Sequence, residues 1–417
     1  MGSLRRVLRN RALLTLMLGH FTNDTFGGVL VILLPEVKDR FDLSNAGVGL
    51  VVLAYTAASS LSQPLFGHLS DQYARRWFAP VSLLWGATFV AAYGFAPNYG
   101  VFVLLAALAG VGSGAYHPVG AANAAAVTDD TLKNTAMSLY TVGGTTGYAL
   151  GPLLGAGLLL LFGQHGTAVL LVPGIVAAGL LASQMRHVEQ AGRGRTRSRP
   201  GTVAVLAAPQ WNSLARVIGV VMLRSWIFLS VLQFVPIWYD DLGYGRNFYG
   251  PLVTTIILAG VIGTLLGGAL ADRVGQRRII IVSMLLSIPP LLLFAAFPGN
   301  QAFAYGLLFG ATCDASLSVT LVIAQRLLPG RVGVASGVIL GLGFVTGGIG
   351  VPITGWIADG VGIQSALMIL AVLPVVPALL ALTIPRAALT GGDQADATVR
   401  DAGRPAAEPR AVPTARR

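Results

Sequence analysis

Charge and sulfur are what this chain has least of. Only 11% of its 417 residues are charged, whereas soluble domains carry about a quarter. A surface so poor in charge cannot face water all round. With 54% apolar residues and a mean hydropathy of +0.71, most of the chain is expected in a bilayer. The single cysteine, Cys313, excludes intramolecular disulfides and thiolate metal clusters. No phosphate-binding Gly-Lys-Ser/Thr element occurs, so ATP is not the expected energy source. The glycines of Gly110-Val-Gly-Ser-Gly114 lie inside an apolar run rather than after a soluble strand, which argues against a dinucleotide site. No catalytic constellation or metal-ligand set stands out, and no enzyme is expected.

What the chain does have is a succession of apolar runs, each near the roughly 20 residues that cross a bilayer as a helix. Polar breaks divide them into twelve, near 12–34, 46–69, 78–96, 100–126, 135–162, 166–185, 213–238, 249–271, 279–297, 302–327, 333–357 and 362–385. The predicted fold class is an all-α membrane protein of twelve spans. The 53 glycines suit close helix packing in lipid. The first run continues past Asp24 without a small-residue cleavage site, so it is read as an uncleaved first helix.

Twenty-four of the 28 Lys and Arg fall on the face that holds both termini, three (Lys38, Arg40 and Arg246) on the other, and Arg224 inside a helix. The positive-inside rule then puts both termini in the cytoplasm. The net charge of +11 sits in loops rather than on a folded basic face, so no nucleic acid partner is expected. The predicted organisation is a first six-helix bundle over 1–185, a cytoplasmic linker over 186–212, a second bundle over 213–385 and a disordered cytoplasmic tail over 386–417. The linker arginines, Arg193, Arg195, Arg197 and Arg199, serve either as a topology signal or as a contact for anionic lipid.

The two halves echo each other. Gly67-His-Leu-Ser-Asp71 with Arg75 and Arg76 follows the second span, and Gly268-Ala-Leu-Ala-Asp272-Arg273 with Arg277 and Arg278 follows the eighth, 201 residues on. In the fifth span Gly143, Gly147, Gly151 and Gly155 fall four apart around Pro152; in the eleventh, Gly343, Gly347 and Gly355 do so around Pro352, at an offset of 200. Agreement between two unrelated motifs implies a parallel six-helix repeat. Residues four apart share a helix face, so the glycine row makes a smooth groove. It suits either a surface on which the halves rock or ordinary small-residue packing. Asp71 and Asp272 stand at helix C-termini, where the macrodipole disfavours them; each wants a cationic partner that can break and reform as access changes.

Ionisable residues at membrane depth need a reason. His20, Asp24, His117, Arg224 and Asp314 all lie on spans 1, 4, 7 and 10, which a repeated three-helix plan makes equivalent and central. His20 and Asp24 are four apart and stack on one face, with Thr22 and Asn23 beside them. Asp24 is expected either to carry a proton or to hold helices together through hydrogen bonds. His117 precedes Pro118, which frees the carbonyl of Gly114; its ring either titrates or caps that carbonyl. Arg224 and Asp314 are expected either to form a static pair or to exchange with substrate. Trp226, Phe228, Gln233, Phe234, Trp238 and Tyr239 make an aromatic stretch that fits an amphipathic compound, although Trp and Tyr at a span's end also serve as interface anchors. Cys313 is read as small-residue packing.

These motifs carry a resemblance. The Gly-x-Leu-x-Asp loops with paired arginines resemble the signature between helices 2 and 3, and 8 and 9, of major facilitator transporters. Gly147 through Gly151-Pro152-Leu-Leu-Gly155 is similar to the fifth-helix motif of their antiporter branch. Gly19-His20-Phe-Thr-Asn-Asp24, Gly112-Ser-Gly-Ala-Tyr116-His117-Pro118 and Ser138-Leu-Tyr-Thr-Val-Gly143-Gly144 resemble the fosmidomycin-resistance group. The likeness implies two pseudo-symmetric six-helix bundles and a monomer in the bacterial inner membrane. It implies a proton-coupled antiporter that exports small drug-like or amphipathic compounds by alternating access. The proton gradient would be its energy source, with no cofactor and no metal, and multidrug efflux its cellular role. An uptake symporter for a small metabolite and a non-transporting membrane sensor are the alternatives on the same fold. Gln72 and Ala74 depart from the usual Arg and Gly of the first loop, and Val119 stands where the subgroup has an acid after His-Pro.

Overall fold

A backbone in hydrocarbon must satisfy its own hydrogen bonds, and each apolar run accordingly closes into helix. The computed structural model describes residues 8–73, 77–128, 133–193, 208–327 and 332–385. The first half holds α1 (Arg11–Arg40), α2 (Asn45–Tyr73), α3 (Phe78–Ala91), α4 (Tyr99–Ala126), α5 (Lys133–Phe162) and α6 (Leu171–Arg193). The second holds α7 (Ala208–Asp241), α8 (Arg246–Val274), α9 (Gln276–Ala296), α10 (Ala302–Asp314), α11 (Leu317–Leu327), α12 (Val332–Val361), α13 (Ile363–Leu370) and α14 (Val375–Leu382). No strand occurs among the described residues.

Caps mark the ends. Asn10 accepts from the amide of Leu13 at the start of α1, and its own amide donates 2.7 Å to the Val127 carbonyl at the end of α4. Gly275, at φ 96°, and Gly362, at φ 82°, end α8 and α12 in a conformation that side chains rarely adopt. Most helices run past the apolar stretch by several residues at one or both ends. By length and hydropathy eleven stretches could cross a membrane, and the longest, Leu139–Gln190, is α5 and α6 joined by a 3-10 turn that begins at Gly163. Twelve spans result.

Two spans differ from the expectation of single helices. The tenth breaks after Asp314 into α10 and α11, and the twelfth breaks between α13 and α14 at Ala371–Pro374. The proposed linker also begins and ends in helix: α6 extends to Arg193 and α7 starts at Ala208. Residues 194–207, which carry Arg195, Arg197 and Arg199, and the tail 386–417 lie outside the described residues.

Within the first half α1 packs along α5 and α2 along α4; in the second α7 packs along α12 and α8 along α10. The halves meet through α2 with α12, α5 with α8, and α1 with α7. The face where the chain enters at Arg11 and leaves after Leu382 is here called the terminal face, the other the distal face. On the distal face Lys38 reaches Asp241 at 3.1 Å and Arg246 pairs with Glu36. There Asp359 accepts from the amides of Asn45 (2.7 Å) and Ala46 (3.0 Å). One apolar core runs through both halves. A second cluster, which includes Val217, Ile280, Ile323 and Ile384, belongs to the second half alone and sits toward the terminal face. The distal face is therefore the one sealed between the halves.

Candidate functional site

His20 and Asp24 sit one turn apart on α1, as their spacing requires, and His117 of α4 joins them. His20 Nε2 lies 3.3 Å from one Asp24 oxygen and His117 Nε2 lies 3.7 Å from the other. Asn23 Nδ2 donates to Asp24 Oδ1 at 2.9 Å and reaches the Ser113 hydroxyl at 3.4 Å. His20 Nδ1 lies 2.8 Å from the carbonyl oxygen of Tyr140. A carbonyl only accepts, so Nδ1 carries a hydrogen, and Nε2 meets the Asp24 carboxylate either with a lone pair or with a second hydrogen. That contact is attractive only when a proton lies between them. Tyr140 also stacks its ring on His20 at 4.2 Å, and Tyr116 crowds the same ring while donating to the Leu16 carbonyl.

The side chains of His20, Asp24 and His117 are 12%, 19% and 27% exposed. They are held in protein yet remain partly exposed. His117 Nδ1 has no partner among the described residues, so the ring does not cap the carbonyl that Pro118 frees, and α4 continues through that proline. One donor atom from each of the three residues lies within 4.8 Å of the others.

The second half holds the other buried charges. Arg224 of α7 pairs with Asp314, the last residue of α10, and donates to the Ser225 hydroxyl at 2.9 Å; the Arg224 and Asp314 side chains are 8% and 12% exposed. The two groups that the sequence set on equivalent helices thus form two clusters, one in each half. Gln233 joins neither: it is buried in α7 with Oε1 unpartnered. Trp238 and Tyr239 are not interface anchors. Both are buried in an aromatic cluster with Tyr244, Phe248 and Phe294 near the distal face.

The gating motifs fare unevenly. Gly67 faces Pro118 of its own half and Gly268 faces Ser318 of its own. Asp272 and Arg273 are exposed, with no ion pair to Asp272 among the described residues, while Arg277 donates to the Ile384 carbonyl and Arg278 is exposed. The Asp71 side chain, Arg75 and Arg76 lie outside the described residues. The glycine row of α5 does not line the meeting surface of the halves. Gly143, Gly147, Gly151 and Gly155 press against Met17, Phe21, Gly28 and Ile32 of α1 in the same half. Pro152 borders the other half, with its carbonyl beside Gly250 of α8, where Ala156 also lies. Sequence reasoning did not place Tyr140, Ser113 and Gly144 at the site. Gly144 stands one residue off the glycine row, and a Cβ there would fall 2.4 Å from His20 Nε2 and 2.5 Å from Asp24 Oδ2.

The fold has close counterparts among solved proteins. A bacterial homologue of the human lysosomal transporter Spinster, inward-facing and unoccupied, superposes with a TM-score of 0.77 at 16% identity, over 92% of this chain and 98% of that one. The nucleoside transporter NupG gives 0.67 at 13% identity, over 89% and 99%. In sequence, the fosmidomycin resistance protein of Escherichia coli (strain K12) is 26% identical across 86% of this chain and 88% of the relative. An uncharacterised MFS-type transporter of Bacillus subtilis (strain 168) is 30% identical across 88% and 90%. The Major Facilitator Superfamily model matches residues 16–258 and 235–411. The chain is a multi-pass membrane protein and belongs to the Major Facilitator Superfamily of transporters.

Proposed function

We propose that this transporter exports small drug-like or amphipathic compounds in exchange for protons, with Asp24 as the coupling carboxylate and His20 and His117 as its partners. The observation that carries the reading is the 2.8 Å contact of His20 Nδ1 with the Tyr140 carbonyl. Because that nitrogen is committed to the Tyr140 carbonyl, the 3.3 Å contact of Nε2 with Asp24 gains or loses its bond as one proton arrives or leaves. A charge change at membrane depth, reached by solvent from one face, is what a proton-coupled cycle needs. With both termini cytoplasmic, as the distribution of Lys and Arg asks, the sealed distal face is the outer one and the cluster opens inward.

A resistance screen in cells stripped of their own exporters identifies a compound, with fosmidomycin first because a relative's name carries it. Proteoliposomes under an imposed pH gradient then test the coupling. Wild type is expected to move the compound against the proton flux. Asp24→Asn is expected to lose gradient-driven accumulation at least tenfold while it keeps exchange at equal pH. Accumulation by the mutant equal to wild type removes Asp24 from the role, and movement along the proton flux makes the protein a symporter.

A further inference from the structure

The Arg224–Asp314 pair is unused by the proton cluster, and its setting is unusual. The 200-residue offset of the repeat places Arg224 at the position of Asp24 and Asp314 at that of Gly114, so the pair is not a product of the duplication. α4 runs unbroken through Gly114, whereas the tenth span stops at Asp314 and resumes at Leu317. The break is propped rather than frayed: the Asp314 carbonyl accepts from Thr264 of α8 at 3.0 Å, and Ser318 donates back to the Thr264 carbonyl at 2.9 Å. Interrupted helices at membrane depth are where carriers hold ligands, because the freed backbone groups and the new helix N-terminus supply polar contacts.

The polar atoms here are not all used. Arg224 donates through one Nη to Asp314 and through the other to Ser225, but its buried Nε has no partner among the described residues. The Ser316 hydroxyl inside the break is also buried without one. A buried ion pair is no better for stability than an apolar pair of similar volume, so a charged pair that leaves donors unsatisfied is poorly explained by packing. A planar guanidinium with free donors is the group that binds carboxylate, phosphonate or sulfonate in two-point fashion. The surface charge fits the same cargo. By the sequence reading, the loops and termini on the side of the chain ends carry 24 Lys and Arg against 9 Asp and Glu, and the opposite loops 3 against 6. Anions are therefore drawn toward the first side and repelled from the other.

We propose that Arg224 anchors an anionic group on the transported compound, and that Asp314 is the internal anion that holds its place when no compound is bound. The proposal rests on the transporter reading above and names the charge class of its cargo. Binding exchanges one carboxylate on Arg224 for another acceptor, with Nε recruited, so the buried guanidinium is never left bare.

The test uses purified full-length protein in detergent without any gradient, so it reads anion binding whether or not proton coupling holds. Thermal stabilisation is measured against phenylphosphonate and benzoate, with benzamide as the neutral counterpart; a ligand that binds only the folded state raises the melting temperature with its concentration. Both anions are expected to stabilise the wild type and benzamide is not. Arg224→Gln should raise the half-saturating concentration at least tenfold. Asp314→Asn should lower it several-fold, because the internal competitor is gone; a purely structural pair would give the opposite sign. If Arg224→Gln alone fails to fold, Arg224→Gln with Asp314→Asn restores a neutral pair and should show no anion response. Benzamide acting as well as benzoate, an unchanged response in the Arg224 variants, or weaker binding in Asp314→Asn would each overturn the assignment.

Discussion

Gly144 is the residue on which the contact of His20 with Asp24 most depends without taking part in it. A methyl at this position would meet the ends of His20 and Asp24 at 2.4 and 2.5 Å, and those side chains, not backbone, would have to give way. Gly144→Ala should therefore break the His20–Asp24 contact while leaving the helix pair assembled. Gradient-driven transport is expected to fall at least tenfold with the melting temperature close to wild type. Gly157→Ala, whose added methyl meets nothing within 4 Å, should match wild type in both. Equal transport by the two variants would show that the contact is dispensable. The sequence made half of this site legible. His20 with Asp24 is a one-turn spacing, and His117 is an ionisable group in an apolar run. Tyr140 and Gly144 carry no such mark, because a backbone carbonyl and a missing side chain contribute here. Only the register of α5 against α1 reveals them.

At the scale of elements, the glycine rows read as equivalent in sequence are unequal in space. A Cβ on Gly147 would fall 2.0 Å from the backbone oxygen of Phe21, which cannot move without displacing α1. One on Gly347 would meet the Leu229 methyl and the Ser225 backbone oxygen, both at 3.1 Å, a contact that a shift of a few tenths of an ångström relieves. Overpacking of this kind costs about 1–3 kcal/mol. Gly147→Ala should lower the melting temperature in detergent clearly, and Gly347→Ala by less than half as much; equal losses would contradict the difference in packing. The repeat and the helix count were readable because hydropathy and spacing survive duplication. The partner of each glycine face was not, since a row of small residues says that a helix comes close without saying which one. The break after Asp314 was equally hidden, because Cys313-Asp314-Ala315-Ser316 contains no proline or glycine; it is held by Thr264 and Ser318, 50 residues away and four residues on.

The whole molecule is sealed at one end by ties that are each weak. Exposed ion pairs such as Lys38–Asp241 contribute about 0–1 kcal/mol. Asp359 caps the amides of Asn45 and Ala46 at the start of α2, where the helix dipole favours a carboxylate and a cap is worth about 1 kcal/mol. Arg246 with Glu36 adds a third tie. A seal built from several small terms can open as a unit on the scale that a proton or a bound compound supplies, so removing one term should shift the balance without unfolding the protein. Thr56 reports it: the residue is 6% exposed, and a Cβ on Gly348 of the opposite half would lie 2.0 Å from its hydroxyl. The one native thiol, Cys313, is buried, so a Cys313→Ser background leaves a cysteine at position 56 as the sole target. Labelling of Thr56→Cys by an impermeant maleimide from the distal side is expected to rise several-fold with Asp359→Asn, and further with Glu36→Gln added. Unchanged rates would mean that apolar contact alone holds the halves together there. An alternating-access cycle predicts that labelling from the terminal side falls as the distal rate rises. A rise on both sides would instead indicate loosened packing around α2.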